Sequence, residues 1–247
     1  MGAGSATSFL TARFLLPDYL VRARDTALSC PVWQDGALVP PDSVGTATIY
    51  DSSNTAISNG ATVTTGSIST YTVPAADVPS TLSLGTGWRV EWALTFTSVD
   101  RVFRNMAALV RSDLAPVVAD NDLFRRVSGL DPAGTKPIHS LSDLQDYLDE
   151  AWVIIVGLLI NLGNLPHLIV EPTALREAHL TLSLALIFED FTTRLNEKHR
   201  ETAAMYRERF TAAWAALRFE YDTAHQGRAG SRRKISAVGS VWLTGRG

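Results

Sequence analysis

Cysteine is nearly missing: Cys30 is the only one in 247 residues. No disulfide can close within the chain, and a zinc site built on paired cysteines is excluded. Cys30 is followed by Pro31 and Val32 with no histidine nearby, which predicts an inert, partly buried thiol instead of a nucleophile. An excess of one charge is missing too. Lys and Arg number 22 against 25 Asp and Glu, and the net charge of −3 excludes a polybasic nucleic-acid binder. The first eight residues lack a positive stretch followed by an apolar core, so secretory export is not expected. Residues 151–170 have the length of a membrane span but contain Asn161, Asn164, Pro166 and His167. A buried helix is the expectation there, and no membrane partner.

The signatures of catalysis are also absent. Gly134-Thr-Lys136 lacks the first glycine and the hydroxyl of a phosphate loop, and Gly85-Thr-Gly87 precedes a strand and reads as a turn. There is no Gly-x-Ser-x-Gly elbow. The five histidines, at 139, 167, 179, 199 and 225, form no His-x-x-x-His pair, and His199-Arg-Glu201 has no Pro-Cys-x-x-Cys to complete a deaminase zinc motif. Asp143, Asp146, Asp149 and Glu150 fall opposite Leu144, Leu148 and Trp152 on a helix, which makes them a solvated face and not a calcium loop. No enzyme activity, cofactor or metal is expected.

What is present changes character along the chain. Residues 31–110 are rich in Thr, Ser, Val and Gly, with short runs of period two. In the clearest, Trp88, Val90, Trp92, Leu94 and Phe96 alternate with Arg89, Glu91, Ala93, Thr95 and Thr97, the pattern of a half-buried strand. Thr46-Ala-Thr-Ile-Tyr and Asn54-Thr-Ala-Ile-Ser flank Asp51-Ser-Ser as a hairpin, and Asn59-Gly60 supplies a second turn signal. Residues 68–73 and 102–110 are further strands. Strands at this spacing predict a small antiparallel β-sandwich.

From about Asp120 the period becomes helical. Leu141, Leu144, Leu148, Trp152, Ile155 and Leu159 share one face, with Ser140 and Asp143 as a capping pattern and an end near Gly163. After Glu171-Pro172-Thr173 a second face runs through Leu180, Leu184, Ile187, Phe188, Phe191 and Leu195, and a third through Tyr206, Phe210, Ala213, Trp214, Leu217 and Tyr221. Residues 196–201 between them carry no apolar side chain, which leaves one long helix or two. Leu175, Leu182 and Leu186 lie off the main stripe, so this helix belongs at the centre of a bundle or against another subunit.

Charge divides the chain further. Residues 1–112 are close to neutral, 113–225 carry 10 basic and 17 acidic side chains, and 226–247 carry 5 basic and no acidic ones. The expected organisation is an N-terminal segment (1–29), a β-sandwich-like, immunoglobulin-like domain (30–112), a helical bundle (113–225) and a basic, extended C-terminal arm (226–247). The arm combines Arg232, Arg233 and Lys234 with an apolar Val241-Trp242-Leu243 cluster unlike a merely solubilising tail.

The acidic opening Ala119-Asp-Asn-Asp-Leu-Phe, the Leu-rich helix, the second apolar helix, the run Tyr206-Arg-Glu-Arg-Phe-Thr-Ala-Ala-Trp-Ala-Ala-Leu-Arg-Phe-Glu-Tyr-Asp222 and the basic tail together resemble the head–tail adaptor (connector) proteins of tailed bacteriophages and related gene-transfer particles. The resemblance covers residues 119–247. It implies a virion protein of the neck, made in the host cytoplasm, that forms a twelve-fold ring of its own copies beneath the portal protein. A tail-side stopper or tail-terminator protein would bind below, and DNA would pass through a lumen without sequence-specific contact. It also implies a C-terminal arm docked to the portal; from the residues themselves, Arg232, Arg233 and Lys234 are expected to steer that arm to an acidic partner surface and Trp242 to anchor it in an apolar groove, with Val241 and Leu243 beside it as docking residues. The β-domain departs from the compact all-helical members. The alternative is a tail or surface binding module that recognises a receptor or glycan through Trp33, Tyr50 and Tyr71.

Overall fold

A computed structural model describes residues 9–139 and 143–235, and the chain divides into two units, 1–113 and 114–247. It has mixed α and β content, with largely antiparallel sheets and four α-helices among the described residues.

The first unit contains β1 (Leu10–Ala12), β2 (Asp18–Val21), β3 (Thr26–Gln34), β4 (Ala37–Leu38), β5 (Thr46–Tyr50), β6 (Ala56–Ala61), β7 (Val63–Thr65), β8 (Ile68–Val73), β9 (Gly85–Phe96) and β10 (Val99–Val110). One sheet has the order β1-β3-β8-β7, with β4 on β3, and the other has the order β2-β10-β9-β5-β6. Among the described residues only the β2–β10 pair is parallel. The alternation in β9 sets the inner face: Trp88, Val90, Trp92, Leu94 and Phe96 are buried and share one core with Leu28, Cys30 and Val32 of β3 and Val73 of β8. On the opposite face the Arg89 and Arg104 guanidinium groups both donate to Glu91 Oε1, at 3.0 and 2.7 Å.

Several expectations need correction here. Within the expected N-terminal segment 1–29, the described residues 9–29 are not separate from the β-unit, because they supply β1, β2 and the start of β3, and Leu20 is wholly buried. Asn59-Gly60 is not a turn but lies within β6. Its glycine answers a different need: a Cβ at Gly60 would sit 2.3 Å from the Tyr71 ring. Gly85 and Gly87 open β9 with φ of 155° and 88°, next to an irregularity where Thr86 faces Ala108 and Trp88 faces Ala107. The glycines absorb that bulge, which side-chain-bearing residues would resist.

Cys30 is 1% exposed, and burial, seconded by the Asp18 carboxylate, pushes its thiol up to about 12. The folded chain is therefore expected to leave a thiol-reactive disulfide reagent unreacted at pH 8 and to react fully once unfolded in denaturant. Rapid native labelling would contradict this burial.

The second unit contains α1 (Asp120–Arg126), α2 (Gln145–Asn161), α3 (Arg176–Arg194), α4 (Arg200–Ala216), β11 (Arg218–Tyr221) and β12 (Ser231–Lys234). The α2 helix begins at Gln145, with Leu144 as its uncapped N-terminal neighbour, so Ser140 with Asp143 is not its cap; Ser140 and Leu141 lie outside the described residues. Its end is as the glycine signals: Gly163 has φ of 73° and donates to Ile160 O. Pro172 opens a short 3-10 turn that leads into α3. The segment 196–201 breaks the chain into two helices, because Asn196 is extended and its Oδ1 accepts from Lys198 N.

The α3 helix is buried on nearly all sides of its central turns, with Leu180, Leu182, Leu184, Ala185 and Ile187 at most 4% exposed. Phe188 stacks on Tyr206 of α4 at 5.8 Å, and His179 Nε2 lies 2.9 Å from Leu148 O of α2. Of the two positions expected for such a helix, it occupies the centre of its own unit. The third apolar face does not continue as a helix to Tyr221. Leu217 turns extended (ψ 129°) and Arg218–Tyr221 form a strand, with Phe219 and Tyr221 buried in alternation.

Candidate docking surface at the C-terminal hairpin

The strands β11 and β12 form an antiparallel hairpin, in register Arg218↔Lys234, Phe219↔Arg233, Glu220↔Arg232 and Tyr221↔Ser231. The loop between them is organised by Asp222, whose carboxylate accepts from the backbone N–H groups of Gln226 and Gly227. Gly227 takes φ of 77°, and Gly230 N closes the loop on Tyr221 O at 3.0 Å.

The hairpin is seated on the connection between α2 and α3. Val170 N donates to Glu220 O (3.0 Å), Asp222 N donates to Leu168 O (2.8 Å), and the Tyr221 hydroxyl accepts from Leu165 N. The Arg233 guanidinium lies 4.2 Å from the centre of the Tyr221 ring and donates to Asn164 Oδ1 at 3.4 Å. Burial pushes the Tyr221 phenol up, opposed by the Leu165 hydrogen bond and by Arg233.

The three basic residues expected to steer an arm thus have different surroundings. Arg233 pairs across from buried Phe219 and lies over Tyr221. Arg232 and Lys234 stand across from Glu220 and Arg218 on the exposed face, where they make a basic strip. Residues 226–235 are a folded hairpin arm and loop, which corrects the expectation of an extended arm from Gln226 onward. Val241, Trp242 and Leu243 lie outside the described residues. The missed signal was the alternation Phe219, Tyr221, hidden because Leu217 and Tyr221 also fit helical spacing.

Acidic charge is concentrated elsewhere in this unit. Asp122, Glu177, Glu189, Asp190 and Glu197 are each ion-paired with an arginine. Asp143, Asp146, Asp149 and Glu150, at the start of α2, are exposed and are in no salt bridge among the described residues. Exposed carboxylates thus gather around the start of α2, while the hairpin carries Arg232 and Lys234 beside Glu220.

The aromatic residues of the alternative reading are not brought together. Tyr71 faces Leu28 across the β3–β8 pair and shares its inner face, while Trp33 is out of phase with buried Leu28, Cys30 and Val32 and lies under the Arg13 guanidinium at 4.9 Å. Tyr50 belongs to the other sheet, covered by Arg89 at 4.1 Å. Among the described residues no three His, Cys, Asp or Glu side chains gather as a metal site requires, and no helix is long and apolar enough to cross a membrane.

The seat of the hairpin carries a pH signature. Burial, with His225 stacked at 6.1 Å as a lesser cause, pushes His167 down to about 4, and burial also lowers His179 and His199. Through these histidines the unfolded state of the second unit binds more protons than the folded one between pH 6.5 and about 4, so their contribution to stability is full above pH 6.5 and is lost as pH falls through that window, while Asp18 of the first unit, pushed up to about 6 by burial, acts in the opposite direction there. Thermal melts at pH 7.5 and 4.5 are expected to show the drop, and His167→Phe is expected to reduce it. An unchanged difference in that variant would assign the drop to other groups.

No protein-family model matches the chain, and no curated protein matches it. Among solved structures it is similar to an engineered protein at a TM-score of 0.29 and 14% identity, over 42% of this chain and 20% of that one. It is also similar to the native conformation of Escherichia coli alpha-2-macroglobulin (TM-score 0.30, 13% identity, 43% of this chain and 6% of that one). A Salmonella alpha-2-macroglobulin mutant gives a TM-score of 0.30 and 13% identity over 47% of this chain and 7% of that one. The chain spans a fifth or less of the length of these structures, and scores of this size carry no argument about function.

Proposed function

We propose that this chain is a structural virion protein, a head–tail adaptor that forms a ring between a portal protein and the tail-side stopper or terminator, with no enzymatic role. The observation that supports it best is the anchored basic hairpin: Arg233 and Tyr221 hold β12 to the α2–α3 connection, and Arg232 and Lys234 remain exposed immediately before the segment that carries Val241, Trp242 and Leu243. A basic strip fixed to a helical unit is suited to steering, and an aromatic residue beyond it is suited to anchoring in an apolar groove of the portal. An acidic surface elsewhere on the subunit suits a lumen through which DNA slides. In the same reading the helical unit is a bundle. The two sheets of the first unit are an immunoglobulin-like sandwich, supported by the strand orders β1-β3-β8-β7 and β10-β9-β5, which parallel the two sheets of such domains.

The test is capture of the portal protein by the full chain. Trp242→Ala is expected to weaken binding by roughly tenfold or more while the melting temperature stays unchanged. Arg232→Glu with Lys234→Glu is expected to slow association and abolish its dependence on salt. Parallel loss of binding and stability, or binding indifferent to all three changes, would count against the docking role.

A further inference from the structure

The strand β10 runs for 12 residues, whereas β2 beside it has 4, which pair with Ala107–Val110 alone. The stretch Val99–Arg104 therefore has β9 on one side and, among the described residues, no strand on the other. Which backbone groups face the open side follows from two contacts. Val110 O accepts from Arg22 N just after β2, so the polar backbone of Val110 points to the β2 side, and by the alternation of a strand so does that of Arg104, Val102 and Asp100. At the other end Thr97 and Ser98, with φ of 51° and 61°, make a two-residue primed turn, which closes on a hydrogen-bonded Phe96↔Val99 pair and assigns the odd-numbered residues to β9. The one irregularity of this ladder, at Ala107/Ala108, lies beyond the open stretch. Exposed edges in proteins that stay single are kept short, bulged or guarded by charges that repel a second edge. Here the edge is regular, Val99 and Val102 are 47% and 56% exposed, and the charges, Asp100, Arg101 and Arg104, are of both signs.

We propose that this open edge of β10 pairs antiparallel with the same edge of a second copy of the chain, centred on Val102, so that the sheet β2-β10-β9-β5-β6 continues from one copy into the other. The order of charges identifies the occupant. A pairing that keeps the two inner faces on one side of the sheet joins residues of like parity. With Val102 against Val102, Asp100 of each copy stands opposite Arg104 of the other, and Arg101 stands opposite Phe103 on the inner face. Centring on Asp100, Arg101 or Arg104 would set a charge against its own kind, and centring on Phe103 would leave Asp100 opposite Met106 and Arg104 opposite Val102. The backbone selects the same register, because Asp100, Val102 and Arg104, whose N–H and C=O groups face outward, then meet one another as the hydrogen-bonded pairs of an antiparallel ladder. The outer face is already set for this contact. Arg104 Nε donates to Glu91 Oε1 at 2.7 Å while its side chain stays 68% exposed, Glu91 also accepts from Arg89, and Asp100 Oδ1 accepts from the Thr95 hydroxyl at 2.8 Å. The same stretch serves both copies, so the contact is isologous and closes as a dimer. It concerns the first unit and does not rest on the adaptor reading.

The experiment is analytical ultracentrifugation of the full chain over a wide concentration range. The expected result is a reversible species of twice the 26.8 kDa chain mass. Asp100→Arg and Arg104→Asp each place like charges opposite one another at both ends of the contact, and each is expected to weaken pairing by roughly tenfold or more. A one-to-one mixture of the two variants restores opposite charges at both ends and is expected to recover most of the pairing, whereas damage to the fold by either substitution would persist in the mixture. Val102→Lys brings two ammonium groups together at the centre and is expected to weaken pairing by roughly tenfold or more. Its melting temperature, at a dilution where the parent is monomeric, is expected to stay close to that of the parent, because the side chain is 56% exposed within the chain. A monomer at every concentration, as would follow if another part of the chain lay along this edge, overturns the proposal. So does an oligomer indifferent to Val102→Lys, or a mixture that pairs no better than either charge variant alone.

Discussion

Phe191→Ala is expected to lower the stability of the helical unit by about 3–5 kcal/mol, the cost of emptying a fully buried aromatic site. Phe191 is 2% exposed and holds two flanking segments to α3, meeting His139 ahead of α2 at 5.2 Å and His199 ahead of α4 at 5.9 Å, and it packs on Phe188 of α3 itself at 5.9 Å. The cavity cannot collapse from one side without loosening a neighbour. For a unit of this size the loss corresponds to a fall in melting temperature of roughly 10–20 °C, read from helical circular dichroism. Leu195→Ala, one turn on and 50% exposed, is the control, with an expected change within about 0.5 kcal/mol. Equal effects at the two positions would contradict the placement of α3 at the centre of the unit.

The second large effect is expected from the smallest substitution. Gly60→Ala places a methyl group 2.3 Å from Tyr71 Cε2 and 2.9 Å from its Cζ and hydroxyl oxygen. Tyr71 cannot move aside freely, because its hydroxyl is 2.8 Å from Ser58 Oγ, which in turn donates to Asp77 Oδ2 at 2.6 Å. Overpacking together with loss of one of these bonds costs about 2–3 kcal/mol. Denaturant unfolding of a double-mutant cycle separates the clash from a general dislike of side chains at this position. In a Tyr71→Ala background, Gly60→Ala is expected to cost nothing measurable; additive losses would show that the ring is not what requires the glycine.

That glycine marks a boundary of what local pattern can reveal. Asn59-Gly60 has the chemistry of a tight turn, but its pairing with Thr48 and Ala47 of β5 makes it part of a strand, and the tertiary position of Tyr71 is what the glycine answers. Long periodic segments were legible for the opposite reason. The alternation of β9 and the 3.6-residue spacing of Leu148, Trp152, Ile155 and Leu159 in α2 repeat often enough to fix both the element and its inner face. The strands β1 and β2 span three and four residues and hold too little pattern to be seen, so residues 1–29 read as a separate segment. At the candidate site, Arg232, Arg233 and Lys234 stood out by charge alone. Their division into one arginine laid over Tyr221 and two cations on the other face of the hairpin depends on hairpin register, which is set by the Asp222 loop and by backbone bonds to residues 168–170. The acidic residues of α2 were legible as a solvated face. Their prominence follows from pairing elsewhere, since most acids of α3 are taken up by arginines.

The adaptor reading stands or falls on where the chain resides and in how many copies. Quantitative mass spectrometry of purified particles from the source gives the ratio of this chain to the portal protein. The account predicts a ratio near one to one, as a ring matched to the portal requires. Absence from particles, or a ratio typical of a fibre or major capsid protein, would contradict it.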